Sequence, residues 1–575
     1  MKKSVPRISS LLSGDEALAQ GAYEAGVKIA ASYPGTPATE IMEYMAGFDE
    51  VDCQWSVNEK VAYEVAYSGA VAGVRTLFSA KHVGLNVAMD SIMTSAYTGI
   101  NAGFVVVTCD EPGLHSSQNE QDNRLLARIA KLPLLEPSSP SEAKELVIKA
   151  FEISEKFDTP VILRLTTRIA HTKENGVLGK RREPQNNHYH PCFEKYVMVP
   201  KNAGARHIEL EERLVRLKRY SEVSRLNSVE MGDRKTGFIA AGVSYLYAKE
   251  MYPNASFLKL GMSYPFPEEK IRDFVKKVRT VHVIEELEPF IEEQCKIAGI
   301  KIRTKDPSFR TGELRPEYIP LIVSGKKKNV PSKPSRKPVL CPGCSHRPLF
   351  WILNKLKLNV AGDIGCYTLG ASAPLSALHT CLCMGSGDTI LEGFTKVLGR
   401  NVVGVIGDST FVHSGITGLI NLAYNKTNAV LIILDNSTTG MTGSQPHPAT
   451  GITIKGEKTK KLILEDVCKA AGADNVDVID PFRIKDLEAL IKKRIGEDKL
   501  SVIISRYPCR LVDRRKNAAP IFVQDKCKKC GLCLKIDCPS VMKQTDGYVS
   551  IDRTTCVGCN LCVDVCPFGA IIKND

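Results

Sequence analysis

Val402-Val403-Gly404-Val405-Ile406-Gly407-Asp408-Ser409 and, further along, Val430-Leu431-Ile432-Ile433-Leu434-Asp435-Asn436-Ser437-Thr438 decide the fold class. Each is a short continuous apolar run rich in β-branched residues, the pattern of a fully buried strand, and each stops at polar residues. The twenty-five residues between Ser409 and Asp435 are enough for one crossover helix, so the two strands are expected to be parallel. Their polar ends then fall at the carboxyl edge of a sheet, where open α/β sheets bind ligands. Gly407 permits close backbone approach there. Asp408 and Asn436 offer hard oxygen donors suited to Mg²⁺, which bridges diphosphate oxygens. An ordinary pair of strand-end turns is the plainer alternative.

The same alternation extends toward the N-terminus. Phe104-Val105-Val106-Val107 and Val161-Ile162-Leu163 alternate with Ala-rich helical patterns at 59–72 and 141–157. A charged helix-like stretch, 208–225, precedes further strands at 237–241 and 281–284. A Lys/Pro/Ser-rich segment then reads as a linker. The expected fold class is α/β: three parallel-sheet domains at 1–190, 191–325 and 339–518, a linker at 326–338, and a small C-terminal α+β module at 519–575.

The 575 residues suit about three to five domains. With 43% hydrophobic and 25% charged residues, the composition is that of a soluble globular protein. No run approaches the ~18 apolar residues of a membrane helix. Pro6, Arg7, Ser9, Ser10 and Ser13 interrupt any signal-peptide core after Met1-Lys2-Lys3. No membrane association and a cytoplasmic location are expected. The net charge of +13 is dispersed and no nucleic-acid-binding motif accompanies it, so the charge reads as solubility and attraction for acidic partners.

Eight of the nineteen cysteines lie between Cys527 and Cys566. Cys556-x2-Cys559-x2-Cys562-x3-Cys566-Pro567 has bacterial ferredoxin spacing, and Cys527-x2-Cys530-x2-Cys533-x4-Cys538-Pro539 is one residue longer. Soft thiolates at tight spacing grip an iron–sulfur cube, and the fourth cysteine of each run serves the other cube. Cys527, Cys530, Cys533 and Cys566 are therefore assigned to one 4Fe–4S cluster, and Cys556, Cys559, Cys562 and Cys538 to another. Paired zinc sites also use C-x2-C, but not three cysteines at x2 spacing closed by Cys-Pro, twice.

Gly407-Asp408 with Asn436 resembles the thiamine diphosphate signature, with Ser409 and Asp435 in place of its third glycine and first asparagine. The likeness implies Asp408, Asn436 and the Thr438 carbonyl as Mg²⁺ ligands. Thiamine enzymes pair this domain with a pyrimidine domain whose essential glutamate precedes an Ala/Gly-rich helix, the form of Asn58-Glu59-Lys60-Val61-Ala62 and the residues after it. Glu59 would hydrogen-bond the aminopyrimidine ring and favour its imino tautomer; a helix-dipole carboxylate is the alternative. Tyr33-Pro34-Gly35-Thr36-Pro37, Lys81-His82-Val83-Gly84, His115-Ser116-Ser117-Gln118, Cys341-Pro342-Gly343-Cys344 and Gly362-Asp363-Ile364-Gly365-Cys366 complete the pattern. Together these segments resemble 2-oxoacid:ferredoxin oxidoreductases, and the order of domains in one chain is similar to the alpha-subunit family of indolepyruvate ferredoxin oxidoreductase.

The resemblance implies a pyrimidine domain, a transketolase-C-like domain, a diphosphate domain and a double-cluster module. It implies oxidative decarboxylation of arylpyruvates, chiefly indolepyruvate, with coenzyme A and ferredoxin. A smaller beta subunit is expected as partner. Thr36 would contact substrate or cap a helix; His82 and His115 are further polar candidates, or structural histidines. Cys341, Cys344, Cys366 and Cys509 would hold a third cube near the thiamine, as in related catalytic subunits, or be buried thiols like Cys295, Cys381, Cys383 and Cys468. An oxidoreductase for another 2-oxoacid, and an electron-transfer subunit with a vestigial thiamine site, are the competing readings.

Overall fold

Runs of buried β-branched residues line up as neighbouring strands in three sheets. The computed structural model describes residues 9–184, 187–328 and 338–574. The chain divides into two units, Met1–Ser332 and Lys333–Asp575. In the first, a seven-stranded sheet runs in the order Met262–Tyr264, Leu134–Leu135, Val161–Thr166, Phe104–Asp110, Thr76–Lys81, Ile29–Ser32, Asp52–Trp55. Every pairing is parallel except that of the edge strand Met262–Tyr264. Phe104–Asp110 and Val161–Thr166 are buried at every residue, as inner strands of a covered sheet.

Helix Glu59–Ala72 occupies the expected range. Asn58 caps it by accepting from the Val61 amide at 2.9 Å, and Gly73 ends it at φ 108°. Its buried residues Ala62, Tyr63, Ala66, Gly69 and Ala70 recur at helical spacing.

A second sheet in the same unit has the order Thr280–Ile284, Asp233–Ala241, Ala255–Leu260, Asn227–Glu230, with only the last pairing antiparallel. The boundary expected near residue 190 is bridged. Met262–Tyr264, from beyond it, completes the first sheet, and one core cluster joins buried residues from Ala31 to Ile300. The charged helix runs over Pro200–Val223, earlier than expected, because Pro200 suits a first helical turn. Fully buried Arg124 also spans the boundary, bonding Asp122 at 2.6 Å and Glu285 at 2.7 Å.

Most of the expected linker, 329–337, lies outside the described residues. Lys328, just before it, is anchored: its amide donates to Ser308 Oγ at 2.9 Å and its Nζ to the Thr311 carbonyl at 2.8 Å.

In the second unit five parallel strands follow the order Asn359–Ala361, Val402–Gly407, Val430–Asp435, Ser501–Arg506, Asn475–Ile479. Val403 stands opposite Val430 and Gly407 opposite Leu434, so the two polar strand ends are adjacent. Two antiparallel pairs, Ile521–Phe522 with Ile571–Ile572 and Val541–Lys543 with Val549–Ile551, frame the cysteine module. Ile536, Val541, Leu561, Val565 and Ile571 join the same core cluster as Leu349, Phe350 and Ile432. The module is thus packed onto the five-stranded domain within one unit. Among the described residues no helix is long and apolar enough to cross a membrane.

Candidate functional site

In the first unit the expected residues gather at the carboxyl ends of the strands of the seven-stranded sheet. Thr36 follows Ile29–Ser32, Glu59 follows Asp52–Trp55, and His82 follows Thr76–Lys81. The helix after Thr36 starts at Thr39 with Ala38 as its N-cap, so Thr36 is not a cap. Glu59 is 6% exposed, at the first turn of its helix. Gly84 faces it: a Cβ there would run into the Glu59 carboxylate. His82 opens helix His82–Val87, fully buried, with Nε2 3.1 Å from Asn119 Oδ1. Burial lowers the His82 pKa, so a neutral ring is favoured. His115 stays on an exposed turn.

In the second unit Asp408 and Asn436 lie side by side at the strand ends, 3% and 8% exposed. Asp408 Oδ1 accepts from the Ser409 amide at 2.9 Å and Oδ2 from the Ser437 amide at 2.8 Å. Asn436 Oδ1 accepts from the Thr438 amide at 3.2 Å. Burial raises the Asp408 pKa, and His447, with Nε2 3.3 Å from Oδ2, opposes that rise. A buried carboxylate beside an amide oxygen is an oxygen-donor set short of positive charge, and it fits Mg²⁺ carrying a diphosphate. Gly407 also makes room for a neighbouring side chain. The Tyr367 ring fills the space a side chain would take, with Cε1 2.7 Å from a Cβ placed there.

The two departures from the thiamine signature are accommodated. Asp435 receives Arg506 Nε at 2.6 Å, and Arg506 also bonds Glu465. Ser409 Oγ lies 3.0 Å from Thr439 Oγ1. Both residues therefore brace the turn that carries Asn436 and Thr438.

The eight module cysteines separate into two sets. Cys527, Cys530, Cys533 and Cys566 line one cavity of about 240 Å³, together with Lys528, Lys529 and Lys543. Cys538, Cys556, Cys559 and Cys562 line a tighter one of about 20 Å³, together with Cys344 and Arg347. Backbone amides point at sulfurs in both: Ala570 to Cys566 at 3.3 Å, Lys529 to Cys527 at 3.4 Å and Gly558 to Cys556 at 3.5 Å. Such N–H···S bonds stabilise the thiolates that iron requires, so the sulfurs fit 4Fe–4S cubes. The extra residue before Cys538 is absorbed at Asp537, which turns left-handed at φ 55° and offers its carbonyl to Arg347.

Cys341, Cys344, Cys366 and Cys509 also come together. After burial, the neighbours that raise the Cys366 thiol, to about 11, are Cys509 and Cys341; Cys344 is raised to about 12 with Cys366 and Cys341 among the causes. Cys366 and Cys509 flank Gly440, their sulfurs 3.7 and 3.9 Å from the position of a Cβ there, and Asn436 Nδ2 lies 3.5 Å from the same point. The Cys509 amide donates to the Asn436 carbonyl at 2.9 Å. The sulfurs of Cys366 and Cys509 thus adjoin the diphosphate turn, with Cys341 and Cys344 neighbouring Cys366, a donor set that fits a third cube. Cys295 and Cys468 are buried elsewhere, and Cys381 and Cys383 are exposed.

Two histidines were missed in the sequence. His346 sits 3.4 Å from Asn436 Nδ2, and burial lowers its pKa to about 4, leaving a neutral ring able to accept from that amide. His447 meets Asp408. The signal for His346 was its place directly after Cys341-Pro342-Gly343-Cys344-Ser345; His447 had no comparable marker.

Three family models match the chain. Residues 20–214 match the pyruvate flavodoxin/ferredoxin oxidoreductase thiamine-diphosphate-binding family, 363–505 the C-terminal binding domain of thiamine pyrophosphate enzymes, and 549–572 a 4Fe–4S binding domain. The chain is 38% identical to the indolepyruvate oxidoreductase subunit IorA of Archaeoglobus fulgidus, over 97% of each chain. It is 39% identical to that of Methanothermobacter thermautotrophicus, over 97% of this chain and 96% of the relative. A solved 2-oxoglutarate:ferredoxin oxidoreductase from Magnetococcus marinus aligns with 56% of this chain and 65% of its own, at 15% identity and a TM-score of 0.47.

Proposed function

Because this chain belongs to the family of indolepyruvate oxidoreductase subunits named IorA, we propose that it catalyses thiamine-diphosphate-dependent oxidative decarboxylation of arylpyruvates, indolepyruvate foremost. Coenzyme A takes the acyl group, CO2 leaves, and 4Fe–4S clusters carry the electrons to ferredoxin. The observation that carries the reading is the hydrogen bond from the Cys509 amide to the Asn436 carbonyl, which ties a four-cysteine cluster to the diphosphate turn. A non-oxidative thiamine decarboxylase has no use for that adjacency. Bound thiamine diphosphate supplies an acidic carbon and a cationic ring that takes up the electron pair left by CO2. Glu59 holds a proton at the aminopyrimidine end. Asp408, Asn436 and the Thr438 carbonyl hold Mg²⁺ at the diphosphate end, with His346 orienting the Asn436 amide. Thr36 meets the substrate. Cys341, Cys344, Cys366 and Cys509 would hold the cube nearest the thiamine, Cys538, Cys556, Cys559 and Cys562 a second, and Cys527, Cys530, Cys533 and Cys566 a third, and such cubes would supply one-electron acceptors. The accommodation of Ser409 and Asp435 speaks against a vestigial site.

The enzyme is a cytoplasmic heterodimer, or a dimer of heterodimers, with a smaller beta subunit. Anaerobic turnover of the two-subunit enzyme against a panel of 2-oxoacids, with coenzyme A and ferredoxin, tests the reading. The expected outcome is coenzyme A-dependent ferredoxin reduction fastest with indolepyruvate and other arylpyruvates. A preference for pyruvate or 2-oxoglutarate would overturn the substrate assignment. Weak or no oxidation by the isolated chain is expected; full activity from it alone would remove the need for the partner.

A further inference from the structure

A buried carboxylate needs a cation or hydrogen-bond donors, and Asp15 has neither among the described residues. It is fully buried in helix Gly14–Glu24, and both its side-chain oxygens lack hydrogen-bond partners. Glu40, from helix Thr39–Met45, brings a carboxylate oxygen within 4.8 Å of one on Asp15, and its Oε2 is buried and equally unpartnered. The only ion-pair contact of Glu40 among the described residues is His171 Nε2, at 4.0 Å. One ligand atom from each of Asp15, Glu40 and His171 falls within 4.8 Å of the other two. Donors about 2.1 Å from a shared ion stand at most about 4.2 Å apart, so a small side-chain rotation closes the set.

The backbone is built to bring these groups together. Gly14 lies against the carbonyl of Ile169, where a Cβ would collide, and this lets helix Gly14–Glu24 abut helix Thr167–His171. Asp15 is thereby set beside the end of the segment that carries His171. The three side chains come from segments well apart in sequence, and none is among the residues assigned to thiamine, iron or substrate.

We propose that Asp15, Glu40 and His171 bind a first-row divalent cation of the Mn²⁺/Zn²⁺ class. The imidazole is a borderline donor that favours those ions over Ca²⁺, and the two hard carboxylates suit Mn²⁺ as well. His171 is 46% exposed, so ion and water reach the site from solvent. Glu40 lies four residues after Thr36, so the ion also pins the turn that carries it.

The probe is Mn²⁺, which avoids the thiols and is read beside oxidised 4Fe–4S cubes by electron paramagnetic resonance. The complete chain is cleared of loose metal with chelator, then dialysed against micromolar Mn²⁺ with millimolar Mg²⁺ and thiamine diphosphate present. Wild type is expected to retain about one more manganese per chain than Asp15→Asn or His171→Ala. Any manganese common to all three belongs to the diphosphate site. Pulsed resonance should show ¹⁴N coupling from an imidazole ligand that His171→Ala abolishes. His171→Ala alters a half-exposed side chain, so its fold is expected to persist if Asp15→Asn fails to fold. Equal manganese in wild type and His171→Ala, with no ¹⁴N coupling lost, would overturn the proposal and leave a proton shared between Asp15 and Glu40.

Discussion

The most informative substitutions separate proton handling at Glu59 from metal and diphosphate binding at Asp408, and both from iron. Glu59→Gln keeps the shape and a hydrogen-bond donor but loses the carboxylate, so cofactor binding should persist while turnover falls by at least ~10². Asp408→Ala removes the charge that meets the diphosphate metal. It should abolish Mg²⁺-dependent cofactor retention while leaving iron content unchanged, since no cysteine set shares that ligand. Cofactor binding by equilibrium dialysis, iron analysis and steady-state rate distinguish the two; parallel loss of iron and cofactor in Asp408→Ala would refute the separation. The positions of Glu59, Asp408 and Asn436 were legible because each sits at a strand end or helix start that its own neighbours announce. His447 and Arg506 were not. Each acquires its role from a partner thirty-nine or more residues away, Asp408 for the one and Glu465 and Asp435 for the other, and nothing local to Gln445-Pro446-His447-Pro448 encodes that meeting.

Elements show the same division between local and long-range information. Helix Glu59–Ala72 and strands Val402–Gly407 and Val430–Asp435 follow from periodicity and length, so the sequence marks them closely. Leu134–Leu135 and Met262–Tyr264 are too short to announce themselves, and only their pairing makes them strands. That pairing merges what reads as two domains, and the Arg124 network seals the junction. Arg124→Met should destabilise the first unit by about 3–5 kcal/mol, because Asp122 and Glu285 would remain buried without their partner. Its melting transition in scanning calorimetry reads the loss. Burial pushes the Asp122 carboxyl up, but Arg124 and Arg164 more than reverse this, bringing it to about 2. The folded pKa is thus below the unfolded one. The contribution is complete above about pH 4 and is lost as pH falls toward 2. Wild type should therefore lose its advantage over Arg124→Met across that window, and an unchanged gap would show that the ion pair is not its source.

At the scale of the whole molecule, three cysteine sets share one unit, and iron should report them. The wild-type chain should carry about twelve irons, and Cys509→Ser about eight, with both tail cubes retained. Identical iron contents, in a folded Cys509→Ser chain that still binds thiamine diphosphate, would return the four inner cysteines to the status of free thiols. Between the inner set and the tail lies Arg347, 1% exposed. Its guanidinium donates to the carbonyls of Leu340 and Cys341 on one side and of Ile536 and Asp537 on the other. Besides joining these two segments, the guanidinium has an electrochemical consequence. A permanent positive charge fixed between two metal sites lowers the energy of each when it gains an electron, so it raises both midpoint potentials and softens the like-charge penalty of having neighbouring sites reduced at once. With cubes in both cysteine sets, the residue that fastens the module to its domain would let two electrons from one turnover reside in the chain together.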